Sequence, residues 1–221
     1  MHGLFKEEVI EMAEIRENET LDDLILGGLK IIQKNSGFRF SLDAVLLAHF
    51  PEVKDGFKII DLGTGTGVIP LILTTRAKNL RITGVEIQGE IARMAQRSMD
   101  LNQLNQVKII NADLRSLGRE HYGKYDLVIS NPPYLPVNQG KISPIQEIAL
   151  SRHELMCSLE ELIFAAKKLV KNSGKVALIH RSERLAEIIA GLKAKGLEPK
   201  RIKPIHPYLK KPANLILVEA I

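Results

Sequence analysis

An apolar run that ends in Asp61-Leu-Gly-Thr-Gly-Thr-Gly67 and passes at once into the helix-like stretch Val68 to Ala77 constrains this chain more than any other feature. Gly63, Gly65 and Gly67 fall where a strand must turn sharply into a helix. Glycine there permits backbone angles closed to other residues and lets a ligand approach the main chain. Nicotinamide-binding folds and ordinary tight turns share such a loop, so its surroundings decide its meaning. Strand and helix patterns alternate around it: strand 57–62, helix 66–77, strand 81–86, helix 88–104, strands 107–110 and 125–130, helix 158–171, strand 174–180 and helix 182–195. This alternation predicts a parallel sheet covered on both faces, with ligands at the carboxyl ends of its strands. Two last strands, about 197–204 and 213–220, are close enough in sequence to pair antiparallel. Upstream, Leu24 to Gln33 reads as a hairpin turning at Gly27-Gly28, and Ser41 as the N-cap of a helix through Phe50 that Pro51 stops. Residues 1–20 carry Leu4, Phe5, Val9, Met12 and Ile15, which suit either a short amphipathic helix or a frayed end.

Three strand ends carry polar side chains of chemical interest. The second strand ends at Glu86, where a carboxylate can accept from ribose hydroxyls or simply sit in solvent. The third runs into Asn111-Ala-Asp113, and Asp113 reads either as an acceptor for a purine amine or as an exposed turn acid. The fourth, Tyr125 to Ile129, leads into Asn131-Pro132-Pro133-Tyr134. An adenine amine is a poor nucleophile because its lone pair is delocalised into the ring. An enzyme must therefore favour a more tetrahedral nitrogen and hold it in line with an electrophile. Asn131 offers a side-chain carbonyl for this, and the prolines offer backbone carbonyls on a stiff turn without competing N–H groups. Tyr134 offers a flat face for a base. A rigid strand-to-loop turn is the alternative reading of Asn-Pro-Pro alone.

The order of these motifs resembles the class I S-adenosylmethionine-dependent methyltransferases that modify an amine on a base or an amide. More narrowly, Gly37-Phe-Arg-Phe-Ser-Leu-Asp-Ala-Val-Leu-Leu-Ala48, Ser151-Arg-His-Glu154, and His180-Arg181 followed by Glu183-Arg184-Leu185 resemble the bacterial tRNA1(Val) adenine-N6 methyltransferase family. The resemblance runs from about Leu21 to the end. It implies a Rossmann-like α/β fold: a seven-stranded, mostly parallel sheet with an antiparallel C-terminal strand and helices on both faces. It implies S-adenosyl-L-methionine as cofactor and the adenosine 3′ of a tRNA anticodon as acceptor. Asp61, Gly63, Thr64, Gly65, Gly67, Glu86, Ile87, Asp113, Leu114 and Asn131 then line the cofactor pocket, with Phe40, Ser41 and Asp43 completing it. Asn131, Pro132, Pro133 and Tyr134 form the catalytic box, and Tyr134, Arg152, His153, Arg181, Lys210 and Lys211 meet RNA.

Composition fits this reading. With 221 residues and 45% hydrophobic content, the chain suits one domain, an N-terminal extension over 1–50 and a Rossmann-like core over 51–221. The N-terminal stretch is acidic, without a basic leader or a membrane-length apolar run, which predicts a soluble cytoplasmic protein. Cys157 is the only cysteine and reads as a half-buried residue at a helix start, and the six histidines lack tight metal-ligand spacing, so no metal is expected. Lys167 to Lys211 holds 13 basic and 3 acidic residues, whereas residues 1–24 hold 8 acidic and 2 basic. Such asymmetry predicts a phosphate-tracking face, although solvated helix faces also carry lysines. The polar, weakly periodic stretch Leu135 to Arg152 reads as a loop closing over the target base. Three other functions suit the same motifs: a protein-glutamine methyltransferase, an rRNA guanine methyltransferase, and a non-catalytic RNA-binding module.

Overall fold

A computed structural model describes residues 15–36, 39–132 and 157–221. Its centre is a seven-stranded sheet of β3 (Lys58–Leu62), β4 (Arg81–Glu86), β5 (Val107–Asn111), β6 (Tyr125–Ser130), β7 (Val170–Arg181), β8 (Pro199–Ile205) and β9 (Leu215–Ala220). The spatial order is β5-β4-β3-β6-β7-β9-β8. Strands β3 to β7 pair parallel, and β9 runs antiparallel to both β7 and β8. Five helices accompany them among the described residues: α1 (Leu42–His49), α2 (Val68–Thr74), α3 (Gly89–Leu101), α4 (Leu159–Leu169) and α5 (Leu185–Ala194).

Alternate strand residues feed opposite faces, as the two-residue period of a strand requires. Ile59, Ile82, Leu127, Ile129, Ala177, Ile179 and Leu217 pack against the α1–α3 side. Ile60, Leu62, Val85, Val128, Val176, Leu178, Ile216 and Val218 pack against α4 and α5. Burial on both faces explains why these strands read as continuous apolar runs. Truncating a fully buried residue such as Ile60 or Leu127 to alanine would cost about 2–5 kcal/mol.

A separate antiparallel hairpin of β1 (Glu19–Asp23) and β2 (Lys30–Lys34) lies against α3. Helix side chains take up the free edge of β2: Ser98 Oγ accepts from Ile32 N at 3.0 Å, and Asn102 accepts from Lys30 N at 2.9 Å while donating to Lys30 O at 2.6 Å. Arg97 grips Glu19 with two hydrogen bonds, 2.9 and 2.7 Å.

Several boundaries and one cap differ from the sequence reading. The first hairpin arm is Glu19–Asp23 rather than the apolar Leu24 to Leu26, which lies in the turn together with Gly27 and Gly28, both at positive φ. The arm is polar because its side chains pair with Arg97, Gln33 and Arg39. Helix α2 starts at Val68 because Gly67, at φ 89°, cannot continue a right-handed helix. Strand β7 begins at Val170, directly after α4, and not at residue 174. Ser41 occupies the N-cap of α1, but its side chain makes no capping bond. Residues 1–14 and Leu135 to Arg152 lie outside the described residues.

Candidate active site

Strand order reverses between β3 and β6: β4 and β5 step outward on one side, β7 on the other. Ligands of open α/β sheets occupy the crevice at such a reversal, beyond the carboxyl ends of the strands. The glycine loop leaves the end of β3 and Asn131 leaves the end of β6, so both sequence motifs stand on its two walls. Asp61 pairs with Ile129, so the glycine loop and Asn131 leave neighbouring strands at the same end of the sheet. Ser130 clasps the junction by donating to Leu62 O at 2.7 Å.

The loop is held open by its backbone. Gly63, Gly65 and Gly67 have φ of 75°, 56° and 89°, the left-handed region in which a side chain is strained. Gly63 N and Thr64 N both donate to Val85 O at 2.9 Å, tying the loop to β4. A Cβ on Gly67 would lie 2.7 Å from Met99 Cε, so this glycine also lets α3 approach.

Glu86 is buried, not a solvated strand-end acid. One carboxylate oxygen accepts from Gly65 N at 3.0 Å and the other from Gln88 N at 2.9 Å. Burial pushes its pKa up, against the pull of these N–H donors. Each oxygen keeps a lone pair for another donor. Asn111 secures the neighbouring turn by donating to Glu86 O and Ile87 O at 2.8 and 3.0 Å, a role that the sequence offered no signal for beyond an amide at a strand end.

Asp61 is fully buried, and neither carboxylate oxygen has a hydrogen-bond partner among the described residues. Burial raises its pKa to about 7. The Thr64 hydroxyl is close enough to favour the charged form, without the geometry of a hydrogen bond, and Glu86 opposes it. The Thr64 and Thr66 hydroxyls are likewise buried without a partner among the described residues. Four orphaned polar atoms under one glycine loop are costly unless a polar ligand satisfies them. They fit a cationic or hydrogen-bonding ligand laid against the loop.

Other expected site residues are placed less directly. Asp113 caps the short turn Leu114–Ser116 and is forked by Arg115 Nε, 3.0 Å from each oxygen, which holds its carboxyl below the usual range. A purine amine at Asp113 would share it with Arg115. Leu114 borders a cleft of about 320 Å³ with Arg115, Tyr122, Phe164 and Lys168. Phe40 N donates to the buried Gln33 side chain at 3.0 Å, and Gln33 donates onward to Asp22 at 2.5 Å. The hairpin thereby sets the segment leading to Ser41 and Asp43, a role for Gln33 that the sequence reading missed.

Arg181 ends β7 half-buried, its Nε without a partner among the described residues. Neighbouring His180 is buried and accepts from Arg181 N at 2.8 Å, and burial lowers its pKa to about 4, which keeps it neutral. Lys210 and Lys211 are exposed. Pro132 is half-buried, while Pro133, Tyr134, Arg152 and His153 lie outside the described residues. Cys157 is half-buried just before α4. Among the described residues, no group of three His, Cys, Asp or Glu side chains suits a metal, and no helix is long and apolar enough to cross a membrane.

Comparison with known proteins bears on the family and the fold. The family model "Methyltransferase small domain" matches residues 42–191. A Trichodesmium erythraeum protein named tRNA1(Val) (adenine(37)-N6)-methyltransferase is 30% identical over 86% of this chain and 80% of its own length. A protein of the same name from Tolumonas auensis is 28% identical over 85% of this chain and 78% of its own. The crystal structure of a predicted O-methyltransferase from Agrobacterium tumefaciens superimposes with a TM-score of 0.62 at 28% identity, covering 81% of this chain and 80% of that one.

Proposed function

Because the chain belongs to the methyltransferase small domain family, and within it to the tRNA1(Val) (adenine(37)-N6)-methyltransferases, we propose that it methylates the N6 amine of the adenosine 3′ of the anticodon in a valine tRNA. S-adenosylmethionine is the cofactor, supplying an electrophilic methyl group on a sulfonium. The orphaned Asp61 carboxylate fits the cofactor's ammonium group, and the positive-φ glycines leave the main chain open beside it. Glu86, pinned by Gly65 and Gln88, turns its remaining lone pairs toward the ribose hydroxyls. Thr64, Ile87, Asp113 and Leu114 line the adenosine end, and Phe40, Ser41 and Asp43 flank the methionine end.

At the acceptor, the Asn131 side-chain carbonyl and the Pro132 carbonyl take the two amine hydrogens. This draws the nitrogen toward tetrahedral geometry and aims its lone pair at the methyl group. Tyr134 stacks on the base. The acceptor must be unpaired, since an amine inside a duplex cannot reach the crevice, and an anticodon loop supplies such bases at low cost. Transfer is direct and needs no covalent enzyme intermediate. We read residues 1–221 as one domain, the 1–50 extension acting through its hairpin on α3 and on the Phe40 segment.

The observation that carries this reading is that the glycine loop and Asn131 leave the carboxyl ends of the adjacent strands β3 and β6 at the sheet's reversal, with Ser130 tying those strands together. Incubation with unmodified tRNA and S-adenosylmethionine, followed by nucleoside mass spectrometry, tests it. N6-methyladenosine is the expected product, and label in a protein amide or in guanosine contradicts the reading.

A further inference from the structure

Strand β9 is antiparallel to β7 and starts at Leu215, opposite Arg181, and β8 ends at Ile205, opposite the same Leu215. The connection 206–214 therefore projects from the edge of the sheet that carries Gly63, Glu86 and Asn131. Strands lie about 4.8 Å apart, so the hairpin tip stands about 10–14 Å along that rim from the end of β6. This is the span of about three or four stacked nucleotides.

The tip presents apolar surface with a fixed backbone. Tyr208 is 74% exposed and Leu209 98% exposed. Lys211 N donates to Tyr208 O at 3.0 Å, closing a turn around them, and the His206 ring meets Lys211 O at 2.8 Å across its base. Ser182 fastens the returning arm by donating from its hydroxyl to Ala213 O at 2.6 Å and from its N to Asn214 O at 3.1 Å. Pro207 and Pro212 bracket the turn. Exposed Lys200, Lys203, Lys210 and Lys211 surround it, and no acidic residue occurs between Pro199 and Pro212.

We propose that Tyr208 is a stacking platform for an unpaired nucleotide flanking the target adenosine, with Lys210 and Lys211 on the adjoining phosphates. The proposal rests on the reading that the acceptor is tRNA. An aromatic face held on a rigid, cationic turn suits a nucleobase whose phosphate lies beside it. Unlike lysine alone, it grips a base that is unstacked and ignores one buried in a duplex. The hairpin thereby selects a loop over a stem at a distance from the reacting atoms.

Since the chain has no tryptophan, Tyr208→Trp introduces a single reporter. Its fluorescence is expected to be quenched on adding unmodified tRNA, with affinity near that of the parent protein. Tyr208→Ala is expected to weaken tRNA binding about 5- to 100-fold and raise KM, with kcat, cofactor affinity and the salt slope unchanged, and Tyr208→Phe to restore binding. Unquenched fluorescence, unchanged affinity in Tyr208→Ala, or equal losses in Tyr208→Phe and Tyr208→Ala overturn the platform while tRNA methylation by the parent protein leaves the acceptor reading intact. Failure of the parent protein to methylate any tRNA overturns both.

Discussion

The Ser130 hydroxyl donates to the Leu62 carbonyl at 2.7 Å in a buried position, linking the last residues of the two strands from which Asn131 and Gly63 emerge. Removing it should loosen the crevice more than the fold. Ser130→Ala is expected to cost about 1 kcal/mol in urea unfolding, the net worth of one hydrogen bond. Turnover should fall by about tenfold or more, because small misplacement of reacting groups is expensive. Equal turnover in the variant would show that the clasp does not position Asn131.

Two glycines of the same loop should respond differently to alanine. At Gly63 the added Cβ meets nothing within 4 Å among the described residues, so only backbone strain remains, about 1–2 kcal/mol. At Gly67 the same strain is joined by contact with Met99, so thermal unfolding should show the larger loss there. Calorimetric titration should show weakened cofactor binding by Gly63→Ala in protein that is still folded. Unaltered binding would remove Gly63 from the cofactor cradle.

Cofactor affinity should depend on pH through Asp61. With its pKa near 7 in the free protein, the group is largely protonated at pH 6, and an ammonium ligand must displace that proton. Affinity should therefore rise about tenfold per pH unit below 7 and level off by pH 8, where the cofactor's own amino group begins to lose its proton. Stability runs the other way. The folded state holds this proton more tightly than the unfolded chain, so the contribution is full below about pH 4 and is lost as pH rises through about 7. Asp61→Asn should bind cofactor weakly with no such pH dependence, and should melt higher than the parent protein at pH 8. A flat affinity profile in the parent protein would refute the assignment.

The pair Lys210 and Lys211 stands outside the crevice, on the exposed β8–β9 turn. Replacing both with glutamate should weaken tRNA binding and lower the slope of log affinity against log salt by about two, one unit for each lost phosphate contact. Cofactor affinity should hardly change. An unaltered slope would mean that RNA approaches by another face.

Strands β4 and β6 were legible in the sequence to the residue, since apolar runs there end in polar or proline-bearing turns. The β1 arm was not, because its partners are side chains of α3, Gln33 and Arg39, and a polar strand carries no apolar alternation. The glycine loop and Asn131 were legible because their chemistry is local. What Glu86 and Asp61 do was only partly so: the types and positions were visible, but their burial depends on strands far apart in sequence. Arg115, two residues from Asp113, was a local signal that reading Asp113 as a free acceptor passed over. Gln33 reaches Phe40 only because the hairpin folds back, which no spacing reveals.

In the proposed reaction the glycine loop holds the cofactor while Asn131 orients the adenosine amine of tRNA that receives the methyl group. The most direct test incubates unmodified tRNA with isotopically labelled cofactor, digests it, and maps the labelled nucleoside, with Asn131→Ala alongside. N6-methyladenosine at the single position 3′ of the anticodon is the expected product. Turnover should fall by orders of magnitude in Asn131→Ala, with cofactor affinity nearly unchanged. Label on another base, label only in protein, or full turnover by Asn131→Ala would contradict it.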